Sequence, residues 1–181
     1  MKWMIASDLH GSETACREML SAFHREGADR LLLLGDVLYH GPRNDLPEEY
    51  DPKAVIALLN GMADRICCVR GNCDAEVDQM VLEFPILADY LLLPVEKHLI
   101  FATHGHVYNA DNLPPLRPGD VLLHGHTHLS ACEVREGYTY CNPGSVALPK
   151  GGEAPGYMTL GGGVLVWKTL ATGAVQRTIA L

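Results

Sequence analysis

No stretch of this chain stays apolar for the roughly 20 residues that a bilayer-crossing helix needs. The first apolar run, WMIAS, is cut by Asp8 before the core of a secretory signal could form, so a cytoplasmic location is expected. Paired-cysteine spacing is also missing. Cys16, Cys67, Cys68, Cys73, Cys132 and Cys141 contain no CxxC, and without an export signal reduced thiols are expected. Basic residues are scarce: 14 Lys and Arg face 22 Asp and Glu, for a formal net charge of -8. That balance argues against a duplex nucleic acid partner, which needs many phosphates neutralised. A small phosphate ester stays compatible if the positive potential at its site comes from bound metal rather than from the protein as a whole. Internal repeats and low-complexity segments are absent too. What is present is an ordinary globular balance, 48% apolar and 20% charged over 181 residues, which predicts one domain spanning 1–181.

Trp3 to Ser7 reads as a buried strand that ends in a loop at Asp8, His10 and Gly11. Residues 12 to 26 follow helical spacing, with Ala15, Met19, Ala22 and Phe23 on one face, Ser12 as N-cap and Gly27 as terminator. Leu31 to Leu34 predicts a second strand. The proline-rich segment from His40 to Pro52 predicts a long loop, and Pro52 opens a helix. A third strand is expected over Arg65 to Arg70, giving a βαβαβ pattern of parallel strands with covering helices. Beyond residue 90 the rhythm changes to short strands near 90–95, 98–103 and 120–124. Strands and turns then alternate from Cys132, with hairpins at Glu136-Gly137 and Thr172-Gly173. The expected class is a mixed α/β fold. Asn142 to Ser145 reads as a turn, Cys67 and Cys68 as opposite faces of a core strand, and His24, His98 and His124 as packing residues.

Five apolar runs end in a potential ligand: WMIAS before Asp8, LLLLG before Asp36, CCVRG before Asn72, LIFAT before His104 and VLLHG before His126. If these are neighbouring strands, their carboxyl ends lie along one edge, where open α/β sheets bind ligands. Asp8 and His10 are two residues apart, as are His126 and His128, so in extended backbone each pair projects from one face. Two carboxylates, four imidazoles and one amide oxygen suit manganese, iron, zinc or nickel better than calcium. Seven donors exceed the needs of one transition metal with an open position, but they suit two divalent ions that share a carboxylate. Such a pair acidifies a bridging water to hydroxide and clamps the attacking and leaving oxygens of a displacement at phosphorus.

In that order the blocks D-x-H, G-D, G-N, H-G and G-H-x-H resemble the calcineurin-like metallophosphoesterase family. The stretches GDVLYHGPRNDLPEEY, RGNCDAEVDQM, FPI, GHTHL and NPGSVALPKGG resemble its small bacterial YfcE-type phosphodiesterases over nearly the whole chain. The resemblance implies a four-layer αββα sandwich of two mixed β-sheets flanked by helices. It also implies that Asp8, His10, Asp36 and His128 hold a first metal and that Asp36, Asn72, His104 and His126 hold a second, with manganese the first expectation. The implied activity is hydrolysis of small phosphodiesters by a metal-bridging hydroxide.

Many members of the family carry His directly after the motif asparagine, where it can protonate the leaving oxygen. Here that residue is Cys73, as it is in the YfcE-type enzymes. A neutral thiol is a poor acid at pH 7, so aryl or otherwise activated diesters should react best. Asp36, Asn72 and Cys73 are therefore the candidate catalytic residues, while Arg43, Asn44 and His106 are the candidate substrate contacts, Arg43 by pairing its guanidinium with phosphate oxygens. Two other readings use the same residues. One is a scaffold or binding module that keeps the fold but not the turnover; the other is a phosphomonoesterase or pyrophosphohydrolase. Exposed apolar strands in the last third could support a homo-oligomer.

Overall fold

The computed structural model describes residues 1–181. The amino-terminal half builds the expected parallel unit: β1 (Trp3–Ala6), α1 (Glu13–Glu26), β2 (Arg30–Leu33), α2 (Pro52–Asn60) and β3 (Ile66–Cys68). In α1 the Ser12 hydroxyl accepts the Ala15 N–H at 3.2 Å, and Gly27 closes the helix at φ 56°. Asp51 caps α2 by accepting the N–H groups of Lys53 and Ala54, with Pro52 at the first turn where its missing N–H costs nothing.

The third strand is shorter than its sequence suggests. A 3₁₀ turn occupies Ala63–Arg65, and after the Val69 N–H bonds Leu33 the Arg70 N–H turns away to Ala88. A single helical turn, α3 (Glu76–Gln79), follows, too short to leave a periodic signal. Then come β4 (Tyr90–Val95), β5 (His98–Thr103), β6 (Asp120–Leu123), β7 (Ser130–Arg135), β8 (Tyr138–Pro143), β9 (Gly156–Gly161), β10 (Val164–Thr169) and β11 (Val175–Ala180). Asn142 and Pro143 thus end a strand, and the expected turn is confined to the residues after them.

These strands form two mixed sheets, one ordered β11-β10-β9-β1-β2-β3 and the other β4-β5-β6-β8-β7. Because β1 and β2 are buried on both faces, their side chains alternate between two apolar layers. Met4, Ala6, Leu31 and Leu33 meet Met19, Phe23, Val55 and Leu59 of the helices. Ile5 and Leu32 face the other sheet, where they join its Ile100, Val121 and Leu123 together with Trp167 of β10. Cys67 and Cys68 part in the same way, Cys68 toward the helices and Cys67 toward the second sheet. The outer face of the five-stranded sheet is covered not by a helix but by residues such as Tyr108 and Leu116, packed on Phe101, Leu122, Tyr138 and Tyr140. The two mixed sheets agree with the expected class, with loop rather than helix as the outermost layer on that side.

Candidate metal centre

The carboxyl ends of β1, β2 and β3 lie side by side, and those of β5 and β6 lie side by side in the facing sheet. The site therefore straddles two sheet edges rather than following one. Asp8 and His10 leave β1, Asp36 leaves β2, Asn72 follows β3, His104 follows β5, and His126 and His128 follow β6.

The expectation of extended backbone at the two paired motifs needs correction. Asp8 (φ 59°), His10 (φ 49°), Asp36 (φ 56°), His126 (φ 65°) and His128 (φ 62°) all adopt left-handed backbone. Only two other non-glycine residues in the chain do so, which marks the centre as a place where strain is concentrated. The loops hold this geometry through each other: the Asp8 N–H bonds Gly35 O at 3.2 Å, and the His10 N–H bonds Asp36 O at 2.9 Å. Gly71 and Gly125 supply close approach. A Cβ on Gly71 would strike Asp36 Oδ1, and one on Gly125 would strike Ser7 Oγ and come within 2.7 Å of Asp8 Oδ2.

The side chains converge as two groups about Asp36. In the first, His10 Nε2 lies 3.3 Å from His128 Nε2 and 3.7 Å from Asp8 Oδ1, while His128 Nε2 lies 3.3 Å from the same Asp8 oxygen. In the second, His104 Nε2 lies 3.0 Å from Asn72 Oδ1 and 3.1 Å from His126 Nδ1. Asp36 Oδ2 sits between the groups, 3.7 Å from His10 Nε2 and 3.5 Å from His104 Nε2. Three imidazoles are oriented by their far nitrogen: Nδ1 of His10, His104 and His128 donates to the carbonyls of Tyr39, Leu34 and Leu148 at 2.8, 2.6 and 2.6 Å. In those tautomers Nε2 carries a lone pair into the site, the form in which imidazole binds a cation.

Asp8 Oδ1 tests whether these residues fit a metal. It is fully buried and has no hydrogen-bond partner, whereas its other oxygen accepts the His126 N–H at 3.0 Å. An orphaned, buried carboxylate oxygen is costly unless a cation meets it. Asp8, His10 and His128 place ligand atoms within 4.8 Å of one another, as do Asp8, Asp36 and His104. The donor set fits divalent transition ions.

Electrostatics in the protein alone match a site arranged for positive charge. Burial disfavours ionisation of Asp8, yet the imidazoles of His10, His128 and His104 around it hold its carboxyl well below the usual range. Burial opposes protonation of His104, but Asp36 and Asp8 outweigh it and lift the imidazole to about 9. His126, half buried beside His104, is lowered to about 4. Burial and the Asp36 charge push the Cys73 thiol up to about 12, far above the ordinary thiol range, so it stays protonated at neutral pH.

A cleft of about 810 Å³ opens on this centre, lined by Arg43, Asn44, Arg70 and Lys150 among others. Arg43 and Asn44 line this cleft, and the Asn44 amide donates to the His40 carbonyl at 2.8 Å. His106 is exposed, its ring 5.4 Å from that of His104 and 6.4 Å from that of His126, and it does not line the cleft. His124 stacks on Tyr140 at 4.6 Å and lies outside the donor groups.

Several positioning residues escaped the sequence reading. Buried Asp74 accepts the N–H groups of Asp36, Val37 and Gly71 at 2.9, 2.9 and 2.7 Å and locks the two motif loops together. Ser145 donates to the Asp8 carbonyl at 2.8 Å. Asn142 donates to Gly125 O at 2.9 Å and steadies the turn before His126. Asp74 directly follows Asn72-Cys73, and only that adjacency hinted at it.

Residues 1–161 match the calcineurin-like phosphoesterase superfamily domain, and the chain belongs to that family. It is 51% identical over 181 residues to phosphodiesterase YfcE of Escherichia coli (strain K12), covering 100% of this chain and 98% of that protein. It is also similar to the probable metallophosphoesterase YsnB of Bacillus subtilis (strain 168), at 29% identity over 161 residues, or 83% of this chain and 78% of the other. The solved structure of YfcE, a phosphoesterase from E. coli, superimposes with a TM-score of 0.95 at 48% identity over 99% of each chain.

Proposed function

We propose that this chain is a cytoplasmic, metal-dependent phosphodiesterase of small phosphodiesters. Asp8, His10, Asp36 and His128 would hold one divalent cation and Asp36, Asn72, His104 and His126 a second, with Asp36 shared and manganese the first candidate. The observation that carries the reading is the position of Asp36 Oδ2 between two donor groups, one of which ends in the unpartnered Asp8 Oδ1. Likeness to phosphodiesterase YfcE at 51% identity supports the substrate class. Two cations in this donor set would supply an acidified water as attacking group and neutralise charge at phosphorus.

The protein's own residues do the rest. Arg43, Arg70 and Lys150 give the cleft a cationic rim despite the acidic chain, and they would draw phosphate oxygens inward. The Asp36 carboxylate is fixed by the Cys73 N–H on Oδ1 at 2.8 Å, which leaves Oδ2 facing both donor groups. Asn72 closes the second group through Oδ1 while its amide donates to the Cys73 sulfur at 3.2 Å. No charged acid stands at Cys73, so the leaving oxygen would depart with little help and acidic alcohols are favoured.

The test is hydrolysis of an aryl phosphodiester by purified protein across divalent metals. Manganese should activate, a chelator should abolish turnover, and Asp36→Asn should lose about a thousandfold or more while keeping its circular dichroism spectrum. Full activity in the presence of chelator would overturn the reading.

A further inference from the structure

Beside the metal cleft lies a second hollow of about 420 Å³, and eight of its ten lining residues are hydrophobic. Tyr39 and Tyr50 form one wall, and Leu38, Ile56, Val77 and Val81 supply aliphatic surface. The two hollows meet along a common rim of Tyr39, Cys73 and Ala75. Their polarity is divided sharply. Arg43, Arg70 and Lys150 belong to the cleft, whereas the hollow's one charged lining residue is Asp78, whose carboxylate accepts the Ala75 N–H at 2.8 Å. A phosphate therefore finds cationic partners in the cleft and none in the hollow.

The aromatic wall is tied to the candidate metal centre. The His40 ring packs edge-on between Tyr39 at 4.7 Å and Tyr50 at 5.2 Å, and the Tyr39 carbonyl accepts His10 Nδ1 at 2.8 Å. Tyr39, Val77 and Val81 stand 42%, 63% and 44% exposed, a contiguous apolar surface of the kind that marks a binding site. Large apolar side chains left in water around a concave, aromatic-walled hollow match the anatomy of small-ligand sites.

We propose that this hollow receives a planar, uncharged aromatic ring carried by one alcohol group of the phosphodiester whose phosphorus sits in the adjoining cleft. The inference rests on the phosphodiesterase reading and narrows its substrate class to diesters that bear such a ring. The ring would cross the rim at Cys73 and lie against Tyr39 and Tyr50. Cys73, neutral and polarisable, suits a boundary between a charged cleft and an apolar hollow better than a charged imidazolium would.

The experiment compares two diesters whose leaving alcohols have matched pKa, one aryl and one fluorinated alkyl, on the manganese-loaded protein. Wild type should prefer the aryl ester in kcat/KM by roughly tenfold or more, chiefly through KM. In Val77→Asp and Val81→Asp, both at exposed positions that tolerate charge, the preference should vanish. Val134→Asp, on an 86% exposed residue of β7, serves as the surface control and should keep it. An unchanged preference in both hollow variants overturns the proposal. So does a shift from oligomer to monomer in those variants with the preference intact, which would assign the surface to a second copy of the chain. If wild type hydrolyses neither ester, the phosphodiesterase reading fails, and calorimetry then judges the hollow alone. Diphenyl phosphate binding roughly tenfold tighter than diethyl phosphate, with the difference lost in Val77→Asp, supports the subsite. Equal binding of the two rejects it.

Discussion

Five residues of the candidate centre hold left-handed backbone at a cost of order 1–3 kcal/mol each, and they sit where glycine would be the easy choice. Asp74 shows how that cost is met, because both of its oxygens accept backbone N–H groups from the loops that carry Asp36 and Gly71. Asp74→Asn would turn an amide NH2 toward a backbone donor. The expected result is a loss of roughly 1–3 kcal/mol in chemical denaturation together with weaker manganese binding by calorimetry. Cys73 invites the opposite kind of change. A thiol pushed up to about 12 cannot donate a proton as readily as imidazolium, so Cys73→His should speed hydrolysis of diesters with poor leaving groups by about tenfold or more. A steeper dependence of rate on leaving-group pKa in wild type than in the variant is the measurement. Identical slopes would show that proton donation is not limiting.

At the scale of elements, the site depends on how closely the loop after β6 can approach the loop after β1. Gly125 makes that approach, and its turn is held by Asn142 at the end of β8. An added methyl would meet buried Ser7 Oγ and Asp8 Oδ2, the latter held by the His126 N–H at 3.0 Å. Gly125→Ala should therefore cost about 1–3 kcal/mol of stability through overpacking. It should also weaken manganese binding, since Asp8 Oδ2 accepts the His126 N–H at this point. A denaturation midpoint and a binding isotherm that both match wild type would contradict this account.

For the whole molecule, the parallel unit is fastened to the carboxyl-terminal strands by Glu26, whose side chain is 7% exposed. It accepts Lys168 Nζ at 2.7 and 2.9 Å, Lys2 Nζ at 2.8 Å and the Tyr157 hydroxyl at 2.7 Å, joining α1 to β9, β10 and the amino terminus. Burial opposes its ionisation, but these donors prevail and bring the carboxyl from 4.5 to about 2. Because the folded value is the lower one, the stabilisation is present above about 4.5 and is lost as pH falls toward 2. Acid titration of unfolding should show this limb, and Glu26→Gln should remove roughly 2–3 kcal/mol near pH 7 while flattening it. Parallel curves for the two proteins would argue against the linkage. No helix is long and apolar enough to cross a membrane.

Much of this was readable in one dimension because the governing physics is local. Apolar runs that stop at Asp8, Asp36, Asn72, His104 and His126 announce strands whose ends carry candidate ligands, and Ser12, Gly27 and Pro52 set helix boundaries by capping chemistry that acts within one turn. The donor types, and hence the class of metal they would suit, follow from residue identity alone. Tertiary structure decided what depends on distant partners. It divided the strands between two sheets, replaced extended backbone with left-handed turns at the paired motifs, and left His106 outside the cleft. It also recruited Asp74, Asn142 and Ser145, whose roles exist only because loops far apart in the chain present unpaired N–H and C=O groups to them. Hydrogen bonds between segments more than a hundred residues apart leave no periodic trace in the sequence, so only the folded chain reveals which carboxylate oxygen is held and which is left without a partner.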